Sequence, residues 1–319
     1  MDIRELPKVE LHCHLECIMD PAMVRDILRD DPTYPIDPSE LERAYPAESF
    51  EDFIRWWDFI EPIDGELDYF YPILGRYIER LKAQKVVYSE VMISSSEIPK
   101  DKVKAVEKVR DFRNWVDHRE SDEIQIEFIV CFGRSKLEKI HKLADIILAL
   151  HEAGLIVGVA LGSEDPDDPI EPLHKIFARL HEAGLGIEIH AGEWLGPESV
   201  WDALQYGYPD RIGHGVSIFQ DSKLLDLVQE RSIHIEMCPT SNLKTGSISQ
   251  IEEHPVARAR ELDLNFSINT DCPGIFHCSM ESEYELLSKV FGFGDSDFRK
   301  ILTNSLQARF QPGYSDCEA

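Results

Sequence analysis

Residues 156–190 read IVGVALGSEDPDDPIEPLHKIFARLHEAGLGIEIH, and this stretch decides the fold. It opens on a nearly continuous apolar run, Ile156–Leu161, and closes on a second, Gly186–His190. Between them Pro172–Ala183 carries apolar residues at helical spacing and stops at Gly184, the usual residue past a helix end. A strand with little polar alternation is one buried on both faces, as a parallel strand between helices is. The same unit recurs outward in both directions. The strand candidates are Lys8–His12, Val86–Ile93, Gln125–Phe132, Ile156–Leu161, Gly186–His190, Arg211–His214, His234–Cys238 and Asn265–Asn269. Helical patterns lie between them at Leu137–Ala153, which again stops at a glycine (Gly154), and at Pro197–Tyr206, Ser222–Arg231 and Val256–Leu262. Eight such units predict an α/β chain closed as a (β/α)8 TIM barrel, with an open doubly wound sheet as the competitor.

The first crossover breaks the rhythm. More than seventy residues separate the first two strands, including Pro32, Pro35, Pro38 and Pro46 and then the aromatic stretch Phe50–Phe59. The spacing predicts a helical insertion over about 30–80 on the C-terminal face of the barrel, where such enzymes build their sites. Phe53, Trp56, Trp57 and Ile60 either cover a flat ring there or pack on the barrel. No linker or low-complexity segment interrupts the chain, which predicts one domain over 1–319.

Composition narrows the partners. The chain has 319 residues, 43% of them hydrophobic, enough for a sizeable core, and carries a net charge of −27. That acidity repels phosphate backbones and anionic lipid, so the expected partner is a small molecule, with no nucleic acid and no membrane. No apolar run reaches the roughly 18 residues of a membrane helix. The N-terminal residues lack the basic and apolar regions of a secretory signal. Seven cysteines form no regular framework and no C-x-x-C pair, which leads to an expectation of a reducing cytoplasm.

The chemistry gathers at strand ends. His12 and His14 form an H-x-H on the first strand, where residues two apart face the same way. His190 ends the fifth strand and Asp271 follows the eighth. Three imidazoles and one carboxylate suit Zn2+ and leave a position for water. Glu193, three residues after His190, is placed to move protons beside that water, and His214 to hydrogen-bond the developing charge. The alternatives for His214 are a second metal ligand or a buried structural His. Two-metal barrels need a bridging group; the fourth strand offers no Lys, only Glu164 nearby and Cys131 on the third, so one ion per chain is expected.

Five segments together resemble the motifs of the adenosine deaminase family. They are Leu11-His-Cys-His-Leu-Glu16, His190-Ala-Gly-Glu193, Arg211-Ile-Gly-His-Gly215, Glu236-Met-Cys-Pro-Thr-Ser-Asn242 and Ser267-Ile-Asn-Thr-Asp271. The likeness runs from Leu6 to about Phe310. It implies a zinc-dependent (β/α)8 barrel that replaces a ring amino group by a carbonyl and releases ammonia. It further implies His12, His14, His190 and Asp271 as zinc ligands, Glu193 as proton shuttle to ring N1, and His214 as the group orienting the attacking water. Gly162 matches a backbone amide near ring N3, and Glu16 an acidic position that is Asp in adenosine-specific members. Two positions depart from the pattern. Cys272 stands where the family has a second Asp that bonds ring N7, and Cys17 where it has Gly. Both bear on substrate recognition: a weak thiol in place of a good partner either costs about 1–3 kcal/mol in transition-state binding or matches a ring atom that needs no strong partner.

The expected function is therefore hydrolytic deamination of an adenosine-like aminopurine. Two rivals stand beside it: an amidohydrolase of a cyclic amide or ester, which predicts two metals, and a catalytically degenerate purine-binding protein.

Overall fold

A computed structural model of the chain describes residues 2–119, 123–134, 137–163 and 169–310. Eight strands form one parallel sheet in chain order: β1 (Lys8–His14), β2 (Val86–Ser94), β3 (Gln125–Gly133), β4 (Gly158–Gly162), β5 (Gly186–Ala191), β6 (Arg211–His214), β7 (His234–Met237) and β8 (Phe266–Ile268). All seven neighbouring pairs are parallel. The last strand returns to the first through a parallel bridge between Cys13 and Asp271. There the Asp271 N–H donates to the His12 carbonyl at 2.9 Å and the His14 N–H to the Asp271 carbonyl at 3.0 Å. The closed-barrel expectation holds, and the open sheet is ruled out.

The apolar runs do what their composition requires. Ile187, Ile189, Ile212, Ile235 and Ile268 are fully buried and join the large core between strands and helices. Their alternate neighbours Glu188, His190, Arg211 and Glu236 are buried as well, and contact one another inside the barrel. Strand bounds shift little. β4 starts at Gly158 rather than Ile156, although the Val157 N–H already bonds the Phe128 carbonyl at 2.9 Å. The strand carrying the H-x-H runs on to His14, with a register irregularity between Glu10 and Cys13. Such a bulge re-aims side chains beside a site.

The floor of the barrel is filled from the C-terminal side of the sequence. Phe310 packs on Met92, Ile129, Cys131 and Ala160. A Cβ on Gly186 would lie 2.0 Å from its ring and one on Gly158 2.5 Å, so only glycine leaves space there. The Arg211 guanidinium lies 3.5 Å over the same ring and donates to the Ala308 carbonyl at 3.1 Å.

The insertion is helical, at Pro21–Asp30, Pro38–Leu41, Phe50–Ile60 and Tyr71–Ala83. Asp20 and Ser49 cap two of these helices by accepting from the Met23 and Asp52 N–H groups. Trp56 and Ile60 pack inward, whereas Trp57 is 38% exposed. Phe53 stacks on Phe276 beyond β8, with ring centroids 5.7 Å apart, and Phe50 meets Trp194 beyond β5 edge-on at 5.1 Å. These contacts put the insertion over the C-terminal ends of the strands.

Candidate active site

At those strand ends four predicted donors converge. His14 Nε2 lies 3.2 Å from His190 Nε2 and 3.4 Å from Asp271 Oδ1, and His12 Nε2 lies 3.6 Å from the same oxygen. One donor atom each from His12, His14 and His190 falls within 4.8 Å of the others, and the same holds for His12, His214 and Asp271. Asp271 and His214 both take positive φ, 60° and 64°. Left-handed backbone at two non-glycine residues is strain held by the surrounding structure, and such strain gathers at functional sites.

The donors fit a cation. His12 Nδ1 is 2.8 Å from Glu236 Oε2, and His190 Nδ1 is 3.2 Å from Glu188 Oε2. A neutral imidazole donating from Nδ1 has its lone pair on Nε2, so both Nε2 atoms offer lone pairs to the same point. His12 Nε2 is buried and has no hydrogen-bond partner. Burial alone lowers the His12 pKa, yet the Asp271 carboxylate facing Nε2, the bond to Glu236 and the Glu188 charge hold it well above the ordinary value. The surrounding anions thus call for positive charge at this spot. Burial pushes His14 down to about 3, which keeps its ring neutral and ligand-ready. Burial would raise Asp271, but the His12 and His14 rings keep it well below the usual carboxylate range. Gly213 makes this arrangement possible, because a Cβ there would sit 2.1 Å from Glu188 Oε1.

Glu193 and His214 come together on the neighbouring side, Oε2 to Nε2 at 3.5 Å, both buried. Thr245 donates to Glu193 Oε1 at 3.1 Å, and Ser241 to Asp271 Oδ2 at 2.6 Å. Glu16 is buried and accepts from the Ser94 N–H at 2.9 Å; burial pushes its carboxyl up to about 7. Gly162 ends β4 against the Cys131 sulfur, 3.0 Å from where its Cβ would be. Cys272 donates to Asp271 Oδ1 at 3.4 Å, and Cys17 is buried. Of the two bridging candidates, Cys131 is absent from the donor groups found among the described residues, and Glu164 lies outside those residues.

Several members of the site escaped the sequence reading. Glu188 and Glu236 stand behind the His190 and His12 imidazoles; for Glu188 an acidic residue two before a strand-end His was the available signal, whereas Glu236 was read only as the first residue of a motif, with no role. Arg134 bonds the Ser163 carbonyl and the His190 carbonyl, each at 2.8 Å, tying the ends of β4 and β5 together. Nothing in the local sequence marks it. Asn242 and His254 stand behind His214 at 3.1 Å and, beyond it, 3.2 Å.

No helix among the described residues is long and apolar enough to cross a membrane. Comparison with known proteins agrees with the geometry. An adenine deaminase of Rhizobium rhizogenes is 30% identical over 312 residues, covering 96% of this chain and 95% of its own. The crystal structure of adenine deaminase from Arthrobacter aurescens superposes with a TM-score of 0.83 at 24% identity, covering 96% and 94%. An amidohydrolase from Burkholderia ambifaria with bound zinc gives 0.80 at 23%, covering 97% and 87%. The model of the family described as adenosine deaminase matches residues 7–316. With its barrel closed, its imidazoles gathered and nearly its whole length matched, the chain belongs to the adenosine deaminase family of metal-dependent hydrolytic deaminases.

Proposed function

We propose that this protein deaminates adenine or a small compound built on it, using one zinc ion held by His12, His14, His190 and Asp271. The observation that carries the reading is the convergence of those four donors beside the Glu193–His214 pair. The 30% identical relative named adenine deaminase supports the substrate class, and the zinc-bound neighbour supports the metal. Zinc bound there supplies a water acidified toward neutrality. Glu193 takes a proton from the water side and delivers it to the ring nitrogen next to the amino-bearing carbon. His214 donates to the oxygen that gains charge, and Asp271, steadied by Ser241, anchors the far side. The water oxygen adds to the amino-bearing carbon, its remaining proton passes to the amino nitrogen, and the C–N bond breaks to release ammonia and leave a ring carbonyl.

In this reading Gly162, Glu16, Cys17 and Cys272 bound the ring. The Cys272 proton is directed to Asp271, which leaves its sulfur as a weak partner for the ring edge. The helical insertion, at about 30–80 of a single catalytic domain, caps the ring through Phe53 and the neighbouring aromatics. This is supported by their contacts with residues beyond β5 and β8. We also infer a reducing cytoplasm, because the six cysteines of the described residues are all free thiols.

The test is ammonia release from adenine, adenosine, 2′-deoxyadenosine and N6-substituted purines, with Glu193→Gln as control. We expect turnover of at least one adenine compound and a loss of about 10²–10⁴-fold in the variant while metal stays bound. Full turnover by Glu193→Gln, or two metal equivalents with activity on a cyclic amide, would sink the reading.

A further inference from the structure

A hydrogen-bond chain runs inward from the start of a helix to the candidate oxyanion donor, and its direction is fixed at its outer end. The Val256 backbone N–H can only donate; it does so to His254 Nδ1 at 3.1 Å. His254 is buried, with its ring pushed down to about 3 by burial, so it is neutral with its proton on Nε2. That nitrogen faces Asn242 Oδ1 at 3.2 Å, which identifies the oxygen end of a fully buried amide. The other end, Nδ2, must then donate to His214 Nδ1 at 3.1 Å. A neutral imidazole that accepts at Nδ1 carries its proton at Nε2. His214 Nε2 is the atom facing Glu193 and the ligand cluster.

We propose that Asn242 and His254 are positioning residues that lock His214 in its Nε2–H tautomer, making it a hydrogen-bond donor to the reacting centre and disqualifying it as a metal ligand. A protonated Nε2 has no lone pair for an ion. The relay thus decides between oxyanion donor and metal ligand, two of the roles that the sequence leaves open for His214. It also accounts for the one ion proposed above, although His12, His214 and Asp271 offer a further donor group within 4.8 Å. This inference rests on the reading of His214 given under the proposed function.

The test reverses the relay while keeping its shape. In Asn242→Asp a carboxylate faces His214 Nδ1 and draws the proton to that nitrogen, so a lone pair points into the site. We expect kcat to fall about 10²–10⁴-fold with KM little changed, because the donor is needed only as charge develops. In excess zinc, elemental analysis of the variant should rise from one metal equivalent toward two. Nitrogen-15 spectra of the imidazoles, assigned with His214 and His254 variants, should show His214 protonated at Nε2 in the native protein and at Nδ1 in the variant. The native spectrum needs no variant fold: an Nδ1–H tautomer there overturns the relay. So does an unchanged tautomer in Asn242→Asp. A tautomer that moves while turnover stays intact supports the relay and instead removes His214 from the mechanism. His254→Ala, expected to give mixed tautomers and an intermediate loss, checks the outer link.

Discussion

The imidazoles on two sides of this barrel mouth are the same group in different company. On the β1 and β5 side, His12 and His190 have carboxylates behind them, Glu236 at 2.8 Å and Glu188 at 3.2 Å. On the β6 side, His214 has an amide behind it, the Asn242 nitrogen at 3.1 Å. A carboxylate accepts a hydrogen bond from Nδ1–H, which leaves a lone pair pointing inward; an amide nitrogen donates to a bare Nδ1, which leaves an N–H pointing inward. What stands behind a histidine decides whether it binds an ion or stabilises an anion.

The largest effect that tests this contrast is expected for Glu236→Gln. Glu236 joins His12 to the fully buried Arg211, whose Nε lies 2.6 Å from its other oxygen and whose Nη2 lies 2.5 Å from Glu90. Neutralising Glu236 leaves a buried guanidinium short of charge, so we expect a loss of about 3–5 kcal/mol in urea unfolding and metal binding weaker by about 10–100-fold in chelator competition. Unchanged stability would show that Glu90 alone satisfies Arg211. Next comes Glu188→Gln. Its bond is to His190, with His12 3.9 Å away, and among the described residues it forms no ion pair with an arginine. Metal affinity should fall by a similar 10–100-fold factor, roughly, with far less change in unfolding. Equal destabilisation by both variants would erase the distinction between a carboxylate that serves the site alone and one that also ties it to the floor. The smallest effect is expected for Ser241→Ala, which removes one donor from Asp271 and should cost about 0.5–1.5 kcal/mol of metal binding. A loss as large as that of Glu188→Gln would mean that Asp271 depends on Ser241 for its orientation.

The legible part of the molecule was what repeats or what carries its chemistry in one residue. The strands announced themselves because buried parallel strands need apolar side chains toward the helices, as Ile187 and Ile189 show. The convergence of His12, His14, His190 and Asp271 was legible because all four are ligand-type residues that fell at strand ends. Glu236 and Asn242 matter through His12 and His214, 224 and 28 residues away, and no spacing along the chain encodes those pairings. The Asn242–His254 link spans only twelve residues, yet depends on which way an amide faces. Phe310 lay beyond the last repeating unit, and its role appears only once Gly158 and Gly186 leave a hollow under it.

The bond between the Leu11 N–H and Asn269 Oδ1 closes the circle across 258 residues. During synthesis β1 leaves the ribosome first and must wait for β8 before its histidines meet Asp271. Most of the chain is therefore made before an ion can be captured, and the floor stays open until Phe310 follows. Contacts so distant in sequence make assembly slow, because ring closure must come before the contacts that reward it. Until then the lengthening polypeptide holds two metal-seeking side chains, His12 and His14, with no cage around them. A protein built this way acquires its chemistry at one late moment, and any cation taken up earlier is held by half a site.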